Sequence, residues 1–162
     1  MEHTNQDSSG RYLSFTLDGR EFAVRLGCVR EVVGFPEFTP MPQNQPHMLG
    51  FMTLRDEIIT LIDLRIRIGF EPSLTHDTAV IICRLKDCFA GVVVDSINSV
   101  LSPDPAQVLN TPAGVGPDPT QPTLVPQAIR QGDELILVLD VVEALASDEK
   151  IILDASGTKL AA

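Results

Sequence analysis

Phe22-Ala23-Val24, closely followed by Val29-Arg30-Glu31-Val32-Val33, is echoed by Phe89-Ala90-Gly91-Val92-Val93-Val94 and then Ile97-Asn98-Ser99-Val100-Leu101. Phe22 to Phe89 is 67 positions and Val33 to Leu101 is 68. A second element, Asp56-Glu57-Ile58-Ile59-Thr60-Leu61-Ile62-Asp63-Leu64, returns at an offset of 77 as Asp133-Glu134-Leu135-Ile136-Leu137-Val138-Leu139-Asp140-Val141. The period is too long for a solenoid repeat. It predicts two similar β subdomains, each made from two hairpins, with a groove between them.

Working outward, Tyr12–Leu17 and Arg20–Val24 flank Asp18-Gly19, a dipeptide suited to a type I′ turn with positive φ at both central positions. Val29–Phe35 is a third strand. Pro40, Pro42 and Pro46 mark an extended connector without regular structure. Met48–Leu54 and Ile58–Asp63 form a second hairpin with Arg55-Asp56-Glu57 at its turn. Leu64–Ile68 alternates like a strand, yet Asp63 before it and Gly69 after it look like helix caps.

Thr78–Leu85 and Cys88–Asp95 make a third hairpin, which Ile97–Leu101 continues. Asp104 with Pro105 predicts a short helix through Leu109. Residues 111–126, with five prolines and two glycines, read as loop. Leu124–Arg130 pairs with Glu134–Asp140 around Gln131-Gly132-Asp133, and Val141–Ala146 forms a terminal helix. The domain therefore spans residues 11–146. Residues 1–10 form a polar lead, and residues 147–162 a tail that either docks through Ile151-Ile152-Leu153 or frays.

The totals narrow the function. The chain has 162 residues, 44% of them hydrophobic, enough for a real core. With no Trp and one Tyr, that core rests on Val, Ile and Leu, residues that favour strands. A net charge of −10 opposes binding to phosphate backbones or anionic membranes. No signal peptide or span-length apolar run is present, so the expected compartment is the cytoplasm, with Cys28, Cys83 and Cys88 as reduced thiols. Cys83 and Cys88 fall on facing strands, which leaves a disulfide open without requiring it.

Catalytic, metal and cofactor sites are not expected. His3, His47 and His76 lie apart from any nucleophile context, and metal-ligand spacings are missing. Gly114-Val115-Gly116 runs into proline rather than into a helix start. Asp63 and Asp140 close equivalent strands and read as helix caps. Arg55 stands out because a hairpin turn between apolar strands can carry its long side chain across a groove. Glu31 stands out as a charge among valines.

With the hairpins placed, the sequence resembles the CheW family, the adaptor domains of bacterial chemosensory arrays. The resemblance is carried by Leu17–Phe22, Val29-Arg30-Glu31-Val32, Leu54-Arg55, Leu61-Ile62-Asp63-Leu64-Arg65, Gly91–Ser96 with Val100-Leu101-Ser102, and Glu134–Asp140. It implies a mainly β fold of two interlocked five-stranded β-barrels with short helices, including one at Leu64–Ile68. It also implies a non-enzymatic adaptor joining a chemoreceptor's cytoplasmic tip to a histidine kinase regulatory domain of the same fold.

By that resemblance Val29, Glu31 and Val32, together with Arg55, Val93 and Asp95, border the groove that receives the receptor. Asp56, beside Arg55, is placed to pair with it and weaken its hold on a partner. The sequence departs from the family at Thr53-Leu54-Arg55-Asp56, where Asn-Leu-Arg-Gly is usual, and at Thr60, where proline is common. Two rivals stand beside this reading. One is an adaptor that occupies partner sites without coupling them; the other is a nucleic-acid-binding β-barrel, which lacks the basic groove and stacking aromatics it would need.

Overall fold

The computed structural model describes residues 10–41, 45–112 and 124–145. Twelve strands alternate with short helical turns: β1 Tyr12–Leu17, β2 Arg20–Arg25, β3 Val29–Gly34, β4 Thr39–Pro40, β5 Met48–Leu54, β6 Glu57–Asp63, β7 Ala79–Arg84, β8 Phe89–Val94, β9 Ser96–Leu101, β10 Val108–Asn110, β11 Gln127–Gln131 and β12 Glu134–Val138. Helix α1 (Leu64–Arg67) follows β6, and α2 (Val141–Ala144) follows β12. Asp63 and Asp140 cap them, accepting from the backbone N–H of Arg65 and Glu143, each at 3.0 Å.

The strands form two six-stranded sheets, ordered β10-β11-β12-β2-β1-β9 and β4-β5-β6-β8-β7-β3. Each therefore has the expected five strands plus one short edge strand. The two orders are copies of one plan in which the first hairpin has been exchanged. β1 and β2 sit in the sheet built by the second copy, and β7 and β8 in the sheet built by the first. Each copy thus supplies strands that complete the other's sheet, so neither sheet forms from one copy alone.

Strand pairing fixes the true register of the duplication. Phe15 faces Phe22 as Cys83 faces Ala90, and Tyr12 faces Leu101 as Val80 faces Val33. The parallel pairs agree, with Leu137 opposite Phe22 and Thr60 opposite Ala90. The offset is 68 through the first three strands, so the match of Phe22 to Phe89 is one residue out of register. Phe22 corresponds to Ala90, because identity of side chain misled where hydrogen-bond register decides.

Three apolar clusters follow from this plan. Tyr12, Ala23, Ile129, Ile136 and Val138 fill the inside of one sheet. Their counterparts Val80, Met52, Ile59 and Leu61, with Ile82 and Val93, fill the other. A central cluster joins the sheets through Phe15, Leu17 and Phe22 on one side and Ile62, Ile81 and Val92 on the other. Phe15 and Phe22 stack with ring centroids 6.4 Å apart. Each such side chain contributes about 1.5–3 kcal/mol on burial, so the two subdomains behave as one body.

The first hairpin turns as expected, with φ of 53° at Asp18 and 75° at Gly19. Other segments differ from expectation. Thr39-Pro40 pairs with Phe51 and Gly50, so the proline connector contributes an edge strand, a position where a missing N–H is tolerated. Ile97–Leu101 does not extend the hairpin before it but crosses to pair with β1 in the other sheet. The helix after Asp104 stops at Gln107, and Leu109 lies in β10 because Ala128 pairs with it. No disulfide joins Cys28, Cys83 and Cys88. The polar lead to residue 9, the loop 113–123 and the tail from residue 146 fall outside the described residues.

Candidate functional site

The Arg55-Asp56 turn is a two-residue type I′ connection, with φ of 49° and 70°, and Glu57 already belongs to β6. That geometry projects Arg55 away from the hairpin and toward β3, the edge strand at the far end of the same sheet. Both guanidinium nitrogens donate to Glu31, Nη1 to Oε2 at 2.6 Å and Nη2 to Oε1 at 2.5 Å. Such a fork onto a carboxylate is the strong, orientation-fixing form of ion pair. Asp56 is therefore not Arg55's partner.

A β-bulge between Val29 and Glu31 makes Arg30 an extra residue in β3 and lets it act beside Glu31. Arg30 Nη1 donates to Glu57 Oε1 at 2.8 Å, and its Nε lies 3.9 Å from Glu31 Oε2. The Arg30 guanidinium also covers the Phe89 ring at 4.7 Å, with Arg84 at 5.7 Å. Two ion pairs thus clasp β3 to the β5–β6 hairpin and draw the ends of the curled sheet together. The hydrogen bond from Arg55, opposed by partial desolvation and helped by the charges of Arg55 and Arg30, holds the Glu31 carboxyl below its usual range.

Among the described residues the second copy carries no such clasp. Asn98 and Ser99 replace Arg30 and Glu31, and Gly132 replaces Arg55. Asn98 instead bonds to Ser14 and Thr16 on the neighbouring strand β1. Its second hairpin also turns differently, with positive φ at Gly132 but not at Asp133, as in a type II′ turn. The fold is built twice but the clasp once, so architecture alone does not demand it.

Beside the clasp lies a cleft of about 610 Å³ between Asp56–Ile59 and Arg84–Phe89. Its counterpart on the other sheet, about 480 Å³, runs between Gly19–Phe22 and Glu134–Leu137. Each holds one large exposed aliphatic at the equivalent position, Ile58 at 49% and Leu135 at 55% exposure. Neither side chain belongs to the core.

The residues singled out from sequence separate into two groups. Val29, Glu31, Val32, Arg55 and Asp56 share one region, with Arg55 and Val32 well exposed and Val29 half-buried. Val93 does not border a groove; it is wholly buried in the core of its sheet. Asp95 is committed internally, accepting from the Asp18 N–H at 2.7 Å and from Arg65 at 2.9 Å. Sequence reasoning missed Arg30, Glu57, Arg84 and Phe89, since a bulge and a cation–π stack leave no spacing signature.

Among the described residues no three His, Cys, Asp or Glu side chains are grouped to hold a metal ion. No helix of those residues is long and apolar enough to cross a membrane. Fold and site define a duplicated β scaffold that presents surface for other macromolecules.

A family model described as the CheW-like domain matches residues 11–149. The chain is 27% identical over 131 residues to the chemotaxis protein CheW of Bacillus subtilis, covering 80% of this chain and 83% of that protein. It is 30% identical over 109 residues to the chemotaxis protein CheW of Rhizobium meliloti, covering 65% and 69%. The crystal structure of the scaffolding protein TtCheW from Thermoanaerobacter tengcongensis superposes with a TM-score of 0.75 at 24% identity, covering 81% of this chain and 88% of that one. The chain belongs to the CheW-like domain family, non-enzymatic scaffolds of chemotaxis.

Proposed function

We propose that the protein is a cytoplasmic chemotaxis adaptor that joins the cytoplasmic tip of a chemoreceptor to the regulatory domain of a CheA-type histidine kinase. One observation carries the reading: Glu31–Arg55 is an exposed, bidentate clasp that, among the described residues, only one of the two copies holds. An ion pair at the surface contributes little to stability by itself, so its presence in one copy is better explained by recognition than by folding. Val29 and Val32 supply apolar contact beside it, and Arg55 with Glu31 fixes the partner's orientation. Val93, wholly buried, and Asp95, bonded to Asp18 and Arg65, are not part of that surface.

The paired clefts bearing Ile58 and Leu135 suit a partner with a similar duplicated fold, such as the kinase regulatory domain. Coupling requires both partners to act on one connected body, which the shared central core supplies. A net charge of −10 stands against the rival nucleic-acid reading.

The test is capture of a receptor cytoplasmic fragment and of a kinase regulatory domain on the immobilised protein. Both should be retained, together as well as singly. Retention of neither would end the proposal. Kinase assays with receptor membranes then separate coupling from mere occupancy, since unchanged phosphorylation despite binding would mark a competitor.

A further inference from the structure

The chain passes between the two sheets at only two places among the described residues, from β2 to β3 and from β8 to β9. The second passage, at Asp95, is heavily tied. Asp95 N–H donates to Thr16 O at 3.0 Å, and Asp95 Oδ2 accepts from Asp18 N–H at 2.7 Å, in β1 of the opposite sheet and the turn that follows it. Asp95 Oδ1 accepts from Arg65 Nη1 at 2.9 Å.

Arg65 itself is almost fully buried, with a side-chain exposure of 4%. Its Nε donates to Asp63 Oδ1 and its Nη2 to Asp63 Oδ2, each at 2.9 Å, while Nη1 also reaches the Ser73 carbonyl. Burial works against its charge, but the bonds to Asp63 and Asp95 outweigh burial and keep the guanidinium protonated. One side chain therefore joins the end of β6, the loop before β7 and the β8–β9 passage.

The register of the duplication identifies the matching positions at the first passage. Asp63 corresponds to Asp140, which caps its helix in the same way. Arg65 corresponds to Val142, and Asp95 to Gly27, so neither the cation nor its second carboxylate exists there. A cavity of about 260 Å³, lined by Cys28, Asp140 and Val142 among others, lies at this passage, which lacks a buried cation. The side-chain tie there is an exposed bond from Arg84 to the Gly27 carbonyl at 3.2 Å.

We propose that Arg65 is a positioning residue for docking: it pins the β8–β9 passage and so fixes one sheet on the other, leaving the β2–β3 passage as the compliant one. Relative motion of the sheets then pivots about Asp95 and opens near Cys28. The pin stands on the geometry alone; its consequence for binding rests on the adaptor reading.

The test is a pulsed dipolar distance measurement between bio-orthogonal spin labels at exposed Thr53 and Arg130, matching positions on the two sheets. Arg65→Met and Asp95→Asn should broaden the distance distribution while the circular dichroism of the fold persists. Val142→Ala should leave the distribution at wild-type width. Arg65→Lys keeps the charge but cannot span both carboxylates, and should fall between. Affinity for the receptor fragment should drop about two- to thirtyfold in Arg65→Met, although the residue is out of a partner's reach.

A folded Arg65→Met with unchanged width overturns the pin, and if that variant fails to fold, Asp95→Asn decides in the same way. Broadening without any change in affinity upholds the pin and overturns its role in docking. A wild-type protein that binds neither fragment overturns the adaptor reading and its docking consequence, while the distance measurement still decides the pin.

Discussion

Asp56 offers a direct test of how the clasp is presented. It is exposed, and it occupies the second central position of the β5–β6 turn at a φ of 70°. Left-handed backbone costs an L-residue about 1–2 kcal/mol, with aspartate toward the low end because its short side chain bonds locally. Glycine escapes that cost but loses more freedom on folding. Asp56→Gly should therefore stabilise the protein by about 0.5 kcal/mol, and Asp56→Ala, which lacks the aspartate's tolerance of left-handed backbone, should destabilise it by about 1 kcal/mol. The gap between the variants corresponds to about 3–6 °C in Tm for a chain of this size. Urea unfolding monitored by circular dichroism gives the comparison, with an unchanged m-value showing that the turn alone was altered. If the alanine variant proved as stable as the glycine variant, the type I′ turn that aims Arg55 at Glu31 would be wrong.

Three further outcomes are expected. Glu31 has a folded pKa lowered from 4.5, so the clasp's contribution is complete above that unfolded value and is lost as pH falls through the folded one. Partner affinity should accordingly decline below about pH 4.5, and Glu31→Gln should flatten that limb in a pH titration. Gly50, at a φ of 155°, faces β4 so closely that a Cβ would stand 2.0 Å from the Thr39 carbonyl oxygen. Gly50→Ala should cost about 3 kcal/mol and expose the β4 segment to proteolysis, and a protease-resistant variant of normal Tm would refute the close approach. Thr60 Oγ1 is buried without a hydrogen-bond partner. Thr60→Val should thus raise stability by about 1 kcal/mol in thermal unfolding, and a loss of stability would show that the hydroxyl is satisfied.

The duplicated plan was legible because strand alternation and turn residues are local. Asp18-Gly19 announced its turn, and Asp63 and Asp140 read as helix caps, although Leu64–Ile68 also alternates like a strand. What stayed hidden was long-range. Whether β9 extends its own hairpin or crosses to β1 depends on which sheet offers an edge, and Ile97–Leu101 suits both. The 67-residue match of Phe22 to Phe89 was persuasive because two phenylalanines look alike, yet the register places Ala90 there. At the site, Glu31 and Arg55 were visible as charges out of keeping with their neighbours. Their mutual pairing was not, since 24 residues and the curl of a sheet separate them. Val93 was placed at the groove by resemblance, and its side chain faces the core of its sheet. Arg65 read as a helix residue, and nothing local to it reveals that Asp95 lies within reach.

The most direct measurement compares the two copies at matching positions by calorimetric titration with a receptor cytoplasmic fragment, using wild-type protein, Glu31→Ala, Arg55→Ala and Ser99→Ala. Ser99 is the counterpart of Glu31 in the copy without a clasp. Both clasp substitutions should weaken binding about ten- to hundredfold, as expected for charged groups at an interface centre, while Ser99→Ala leaves it unchanged. Equal effects at positions 31 and 99, or none at Arg55, would contradict the assignment of docking to a single copy.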